Sequence, residues 1–424
     1  MPENSKLAVI EGGGIGSPLG VFAGGIHAGF RKNPERLDFA LVEVDEPCAC
    51  AGAFTTNKFC AAPVTVSRRH LGASGCAKVR AIAINSGNAN AATGDKGLAT
   101  AEATCDIVAK TVGCAPEEVL VASTGVIGQL LDLAPFETGV PALHDKIVAA
   151  GEAGRAQGAH DAAHAIMTTD THPKEHAVSY EATGALAGST VTVGGMCKGS
   201  GMIMPNMATM IAVITTDAPV APTALHEVLI DVVKATFNKV TVDSDTSTND
   251  TCIALATGKA APGKSAIELG TPEAAELAQA VNAVCQHLAR EIAADGEGAS
   301  KLVTVTVAGA ATDADADTAA RAIANSPLVK TAIYGHDANW GRIAMALGKC
   351  GVPFDQGDVA IDIMGLPVCR DGLTVEFDED EALRRFEEPE ITIWADLGAG
   401  GCETTVWTCD LTHEYVKING EYRT

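Results

Sequence analysis

The chain has few aromatic and few basic side chains. Aromatics make up 4% of its 424 residues. Its 47% hydrophobic fraction must therefore pack mainly as Ala, Val, Ile and Leu. Only 30 Lys and Arg stand against 53 Asp and Glu, a formal net charge of −23. No basic cluster is longer than a pair, so a phosphate backbone would repel this surface, and nucleic-acid binding is excluded as a function class. No apolar run approaches the roughly 20 residues of a membrane span. Leu7–Ile10 is too short for the apolar region of a signal peptide. The 13 cysteines are odd in number and include no Cys-x-x-Cys pair, which points to reduced thiols in a cytoplasmic protein.

What is abundant is glycine. The 44 glycines cluster between short apolar runs, as expected of many tight turns and close backbone approaches. The length allows two or three packed units. Phe39–Val44, Ala61–Ser67, Val79–Asn85, Ser189–Val193, Ile211–Thr215, Thr251–Ala256 and Leu302–Val307 read as strands, as do Val359–Ile363, Ile391–Ala395 and Thr404–Thr408. Lys96–Val112 reads as a helix capped by Asp95, and Phe136–His164 as partly helical. Pro222–Phe237 and Thr318–Asn325 read as further helices. Thr271 and Pro272 open a long helix to about Ala293, with Thr271 as N-cap. The acidic run Asp378–Glu381 reads as a solvated loop or edge. Without strict βαβ alternation, the fold class is a layered α/β (α+β) one with largely antiparallel sheets.

Several motifs are weaker than they look. Gly258–Ser265 matches the phosphate-loop pattern, but the next helix begins too late to aim its N–H groups at a phosphate. Asp243–Asp250 lacks the sixth-position glycine of a calcium loop, and Asp313, Asp315 and Asp317 fail in the same way. The pairs His160/His164 and His172/His176 lack the adjacent Glu of a zinc hydrolase. No metal is expected.

The densest unusual stretch runs from Gly194 to Met210, read as a Gly/Pro/Asn-rich loop between two strands. Ordered loops of that length tend to be functional, although a plain glycine loop has the same composition. It ends in Ala208-Thr209 before a β-branched strand. A Thr hydroxyl can attack the preceding carbonyl in an N→O acyl shift. Hydrolysis of the resulting ester frees a Thr whose own α-amine, with a pKa of about 8, is a suitable base. Thr124-Gly125, after the apolar Val119–Val121, offers a hydroxyl and a closely approachable N–H for an oxyanion. Alone, each signal is weak.

Together these residues make a recognisable series. Ala51–Asn57, Asn85–Asn90, Ser123–Gly128, Thr168–Thr171, Lys198–Met210, Asp245–Thr251, Gly296–Ala299 and Tyr334–Arg342 resemble, in order, the landmarks of the ornithine acetyltransferase (glutamate N-acetyltransferase) family of arginine biosynthesis. The resemblance covers nearly the whole chain. It implies scission between Ala208 and Thr209, giving an α chain of 1–208 and a β chain of 209–424 with a smaller C-terminal α/β unit from about 301. It implies Thr209 as acetyl-carrying nucleophile, Thr124 and Gly125 as oxyanion hole, and substrate contacts at Thr171, Lys198, Thr209, Glu297, Asn419 and Thr424. Lys198 suits a substrate carboxylate, and Glu297 suits the cationic side chain of ornithine. The competing readings are a turn hydroxyl for Thr171 and a solvated turn residue for Glu297.

The implied reaction moves acetyl from N2-acetyl-L-ornithine to L-glutamate, with no cofactor. Some relatives also take acetyl-CoA as a donor. The implied fold is the αββα sandwich of DmpA-type N-terminal-nucleophile enzymes, and the implied assembly is α2β2. The alternative is an amidohydrolase or aminopeptidase on the same scaffold. Cys197 departs from the Ala common before Lys198.

Overall fold

The computed structural model describes residues 7–204 and 210–421. The expected scissile pair Ala208-Thr209 and the terminal Thr424 lie outside the described residues.

A large sheet is built from nine described strands. They are β1 (Ala8–Val9), β2 (Val21–Ile26), β3 (Phe39–Phe54), β4 (Cys76–Asn88), β5 (Val119–Val126), β6 (Lys174–Glu181), β7 (Thr190–Lys198), β8 (Ile211–Thr216) and β9 (Thr251–Ala256). Their order is β1-β6-β7-β8-β9-β3-β4-β5, with β2 also on β3. Strand β3 is 16 residues long. Its register against β4 shifts between Glu43 and Cys48, and such irregularities bend a strand. The first half of β3 therefore pairs with β2, and the second half with β9. The sheet folds over at this bend into two facing layers. One apolar core lies between the layers, joining Val42, Ile82 and Leu120 to Met196, Val213 and Ile253.

The helices that accompany this sheet are α1 (Ala62–Leu71), α2 (Gly94–Val112), α3 (Ala134–Ala150), α4 (Arg155–Ala165), α5 (Pro222–Ala235) and α6 (Pro272–Ala294); α4 packs Ala159, Ala162 and Ala163 into the core between the layers, and others cover the outer faces. α5 and α6 bury Leu229, Leu277 and Leu288 with the β7–β8 face. α2 and α3 bury Val108, Phe136 and Leu143 with Phe39, Ala81 and Val121. The architecture is the expected αββα sandwich.

A second sheet of six described strands follows. It contains β10 (Leu302–Ala310), β11 (Ala360–Ile363), β12 (Leu366–Arg370), β13 (Leu373–Thr374), β14 (Glu390–Asp396) and β15 (Cys402–Cys409). α7 (Asp313–Ala324), α8 (Pro327–Tyr334), α9 (Trp340–Gly348) and α10 (Glu379–Arg385) accompany it, and α11 (His413–Glu421) closes the described chain. No described helix is long and apolar enough to cross a membrane.

Some local readings change. Ala61–Ser67 forms the start of α1, not a strand. Pro63 sits in its first turn, where its missing N–H costs nothing, and Ser67 exchanges hydrogen bonds with the Val121 backbone at 2.7 and 2.8 Å. The N-cap position of α2 is Thr93, with Asp95 inside the first turn. Asp378–Glu381 opens α10, with Asp378 accepting from Glu381 N–H at 3.0 Å, since carboxylates favour a helix N-terminus. Gly194–Lys198 belongs to β7 and not to a loop. A Cβ on Gly194 would collide with the Gly14 carbonyl oxygen and one on Gly195 with Val284 of α6, so these strand glycines let a loop and a helix approach the sheet closely. The described strand pairs are largely antiparallel, as expected, with parallel pairs at β4–β5, β8–β9 and β10–β14. After Ser265 the next helix starts only at Pro272, as the reading of the phosphate-loop pattern required. Thr271 caps it, accepting from Ala274 N–H at 3.2 Å.

Candidate active site

Two glycines with left-handed backbones assemble the site from distant segments. Gly125 ends the regular part of β5 at φ +129°, and a Cβ there would lie 2.4 Å from the Gly87 carbonyl carbon. No other residue lets β5 cross so close to β4, and this crossing presents Thr124 and Gly125 to a cleft. Gly298, at φ +71°, lets α11 approach so closely that a Cβ would sit 2.6 Å from Tyr415 N. Thr412 Oγ1 donates to the Gly298 carbonyl at 2.6 Å. α11 thereby brings Asn419 over Glu297, and Asn419 Nδ2 donates to Glu297 Oε2 at 2.7 Å.

The resulting cleft, about 210 Å³ and open to solvent, gathers Thr124, Gly125, Lys198, Asp250, Glu297 and Asn419 along with Met210. Five of the residues singled out in the sequence therefore converge. Thr171 is set back: Thr168 and Thr169 line the cleft, while the Thr171 hydroxyl donates to Asp295 Oδ1 at 2.5 Å.

Beneath the cleft lies a charge cluster that the sequence reading did not use. Lys174 is 1% exposed and pairs with Asp170 at 2.8 Å and Asp295 at 2.5 Å. Asp170 also accepts from Gly199 N–H at 2.7 Å and stands 3.9 Å from Lys198 Nζ. Burial alone would raise the Asp170 carboxyl, but the ammonium groups of Lys198 and Lys174 outweigh it and hold the group below the usual carboxylate range. For Lys198 the balance reverses. Burial lowers its ammonium pKa, and Asp170 only partly opposes this. Lys198 is thus a desolvated cation whose counter-ion Asp170, at 3.9 Å, is shared with Lys174, and it feels the carboxylate of Glu297 as well. The cleft therefore offers a cation to an anionic group and a carboxylate to a cationic one. The quoted motif Thr168–Thr171 contained Asp170. Lys174 gave no local signal, since a charge at a strand's start usually faces water.

Asn249 ties the elements together, its Nδ2 donating to Ala89 and Ser123 carbonyls at 2.6 and 2.8 Å. Asp243, in the calcium-like stretch, spends its carboxylate on the Met202 and Ile203 N–H groups at 2.6 and 2.8 Å.

Comparison with known proteins gives one consistent result. Residues 22–424 match the ArgJ family. The arginine biosynthesis bifunctional protein ArgJ of Symbiobacterium thermophilum is 48% identical over 97% of this chain and 99% of its own. That of Thermosynechococcus vestitus is 45% identical over 97% and 98%. A crystal structure of the Bacillus halodurans protein of the same name is 40% identical, covers 50% of this chain and 98% of its own, and superposes with a TM-score of 0.48.

Proposed function

This chain belongs to the ArgJ family, and on that premise we propose that it transfers acetyl from N2-acetyl-L-ornithine to L-glutamate in arginine biosynthesis. The chain cuts itself between Ala208 and Thr209, and the freed Thr209 is the nucleophile. Its α-amine takes the hydroxyl proton as the hydroxyl attacks the acetyl carbonyl. Thr124 and Gly125 stabilise the oxyanion. Ornithine leaves, and glutamate takes the acetyl group from the ester in a second half-reaction. Lys198 holds the α-carboxylate of either amino acid, Glu297 attracts the ornithine ammonium, and Asn419 fixes the Glu297 carboxylate. Thr424 completes the substrate contacts, and Thr171, whose hydroxyl is held by Asp295, supports the cleft from behind.

The observation that carries this reading is the convergence of Thr124, Gly125, Lys198, Glu297 and Asn419 on one cleft along with Met210, the residue after Thr209 in the chain. The name "bifunctional" carried by the relatives supports a second activity, for which acetyl-CoA is the donor we propose. No cofactor enters the reaction. The α and β chains act in an α2β2 assembly in the cytoplasm.

A denaturing mass measurement of the purified protein tests the first step, and two fragments meeting at Ala208/Thr209 are expected. Thr209→Ala should stay whole and inactive. Loss of acetylornithine should depend on glutamate. A loss that proceeds equally well in water alone would replace the transferase by an amidohydrolase.

A further inference from the structure

Two buried ammonium groups face Asp170, and only one of them holds it. Asp170 Oδ1 accepts from Lys174 Nζ at 2.8 Å and from Gly199 N–H at 2.7 Å. Its Oδ2 accepts from Thr168 N–H at 2.9 Å and stays 3.9 Å from Lys198 Nζ. A direct contact between an ammonium and a carboxylate closes to about 2.7–2.9 Å. Lys198, which lines the cleft, therefore sits in the field of Asp170 without being bound by it.

Lys174 keeps hold of Asp170 through a second partner. At the start of β6, its Nζ also donates to Asp295 Oδ2 at 2.5 Å. Asp295 in turn accepts from the Thr171 N–H at 3.0 Å and from the Thr171 hydroxyl at 2.5 Å. The Asp295 carbonyl accepts from Ser200 Oγ at 2.7 Å, and the Ser200 carbonyl from Glu297 N–H at 3.0 Å. One buried ammonium thus joins three segments that reach the cleft: the one carrying Thr168 and Thr169, the end of β7 carrying Lys198, and the turn carrying Glu297. Buried ion clusters of this kind are a poor source of stability, because desolvation offsets the attraction, and a use in fixing geometry explains their retention better. The Asp170 side chain has no exposed surface. Deprived of Lys174, it would need another cation, and the other ammonium acting on it is Lys198. A shift of about 1 Å would close that gap to contact distance and occupy the Lys198 ammonium.

Building on the function proposed above, in which Lys198 holds the substrate α-carboxylate, we infer that Lys174 is a positioning residue: it ties Asp170 to Asp295 and so keeps the Lys198 ammonium free for substrate. The Asp170 charge favours the charged form of Lys198, and the Lys174 charge opposes it. Loss of Lys174 alone therefore leaves Lys198 charged but captured by Asp170. Loss of both charges leaves Lys198 close to its present balance, with no carboxylate to capture it.

Steady-state kinetics of the full chain test this with Lys174→Met and with the double variant Lys174→Met/Asp170→Asn, each checked for its fold by a thermal melt. In Lys174→Met, KM for acetylornithine and for glutamate should rise about 10-fold or more, the scale of a lost charged hydrogen bond. The kcat should change little, since the lost contact serves ground and transition states alike. In the double variant both KM values should return towards those of the unmodified protein. A brace that merely supports the fold would make the double variant worse than the single one. Unchanged KM values in a folded Lys174→Met overturn the inference, and so does a raised KM that the second substitution fails to lower. If neither variant folds, crystals of the unmodified protein grown with L-glutamate decide. Asp170 should remain on Lys174 while Lys198 touches a carboxylate of the ligand, and direct contact between Lys198 and Asp170 overturns the inference. Lys198→Met separates the two proposals. An unchanged KM in that variant would sink the substrate role of Lys198, whereas a raised KM there beside an unchanged KM in Lys174→Met removes only the role of Lys174.

Discussion

The two sheets bury charge in different ways. Around the first, Lys174 and Lys198 are buried with Asp170 and Asp295 as counter-ions or near neighbours. Beside the second, the buried lysine is Lys330. Among the described residues its ammonium donates to neutral groups, the Val242 carbonyl at 2.8 Å, Thr408 Oγ1 at 2.9 Å and Cys409 Sγ at 3.6 Å. β10 alternates buried and part-buried residues along most of its length, as a one-faced structural sheet should. β8 and β9 are buried at every position, since each lies between two layers. Ionisable groups at the ends of such strands have no water to fall back on. They persist there only when paired, or when a ligand completes them. The contrast separates a region shaped for chemistry from one shaped for packing.

The largest test of that contrast compares the buried lysines. Lys174→Met strands two carboxylates, and breaking a buried ion pair costs about 3–5 kcal/mol. Lys330→Met strands only neutral acceptors, for about 1–3 kcal/mol. Thermal or urea unfolding of both variants should show the first well below the second, and equal losses would break the comparison.

Lys198→Met should behave unlike either. Its ammonium is already penalised by burial, so stability should hold. Losing a charged hydrogen bond to substrate, about 1.5–3 kcal/mol, should raise KM by roughly 10- to 100-fold. A fall in kcat with KM unchanged would place Lys198 outside substrate binding.

The smallest expected effect concerns pH. His176 stacks on His287 with ring centroids 3.9 Å apart. Burial, with the His287 charge adding, pushes its pKa down from 6.5 to about 4. The folded state therefore resists a proton that the unfolded chain accepts, and stability should fall as pH drops from 6.5 towards 4. His176→Gln should make that fall shallower in melts across the interval. An unchanged slope would mean that other groups set it.

Legibility followed the range of the interaction. The cap at Thr271, the strand Thr251–Ala256 and the start of β10 at Leu302 were readable because each depends on neighbours within a few residues. Ala61–Ser67 was misread because its alternating β-branched pattern is a strand signal. The Pro63 start and the Ser67 contacts with β5 override it. Asp378 is solvated acid, as expected, but it caps the start of α10 by accepting from a backbone N–H.

By itself, then, the sequence determined the local periodicities and the ordered motifs that name the family and point to Thr124, Gly125, Lys198 and Glu297. Only the tertiary structure decided that these lie on one cleft with Asn419, that Lys174 is buried between two carboxylates, and that Asp250 keeps a buried oxygen without a hydrogen-bond partner among the described residues. The physical reason is that burial and pairing are set by strand register and by the fold of β3. These join residues hundreds of positions apart, beyond what any local pattern records.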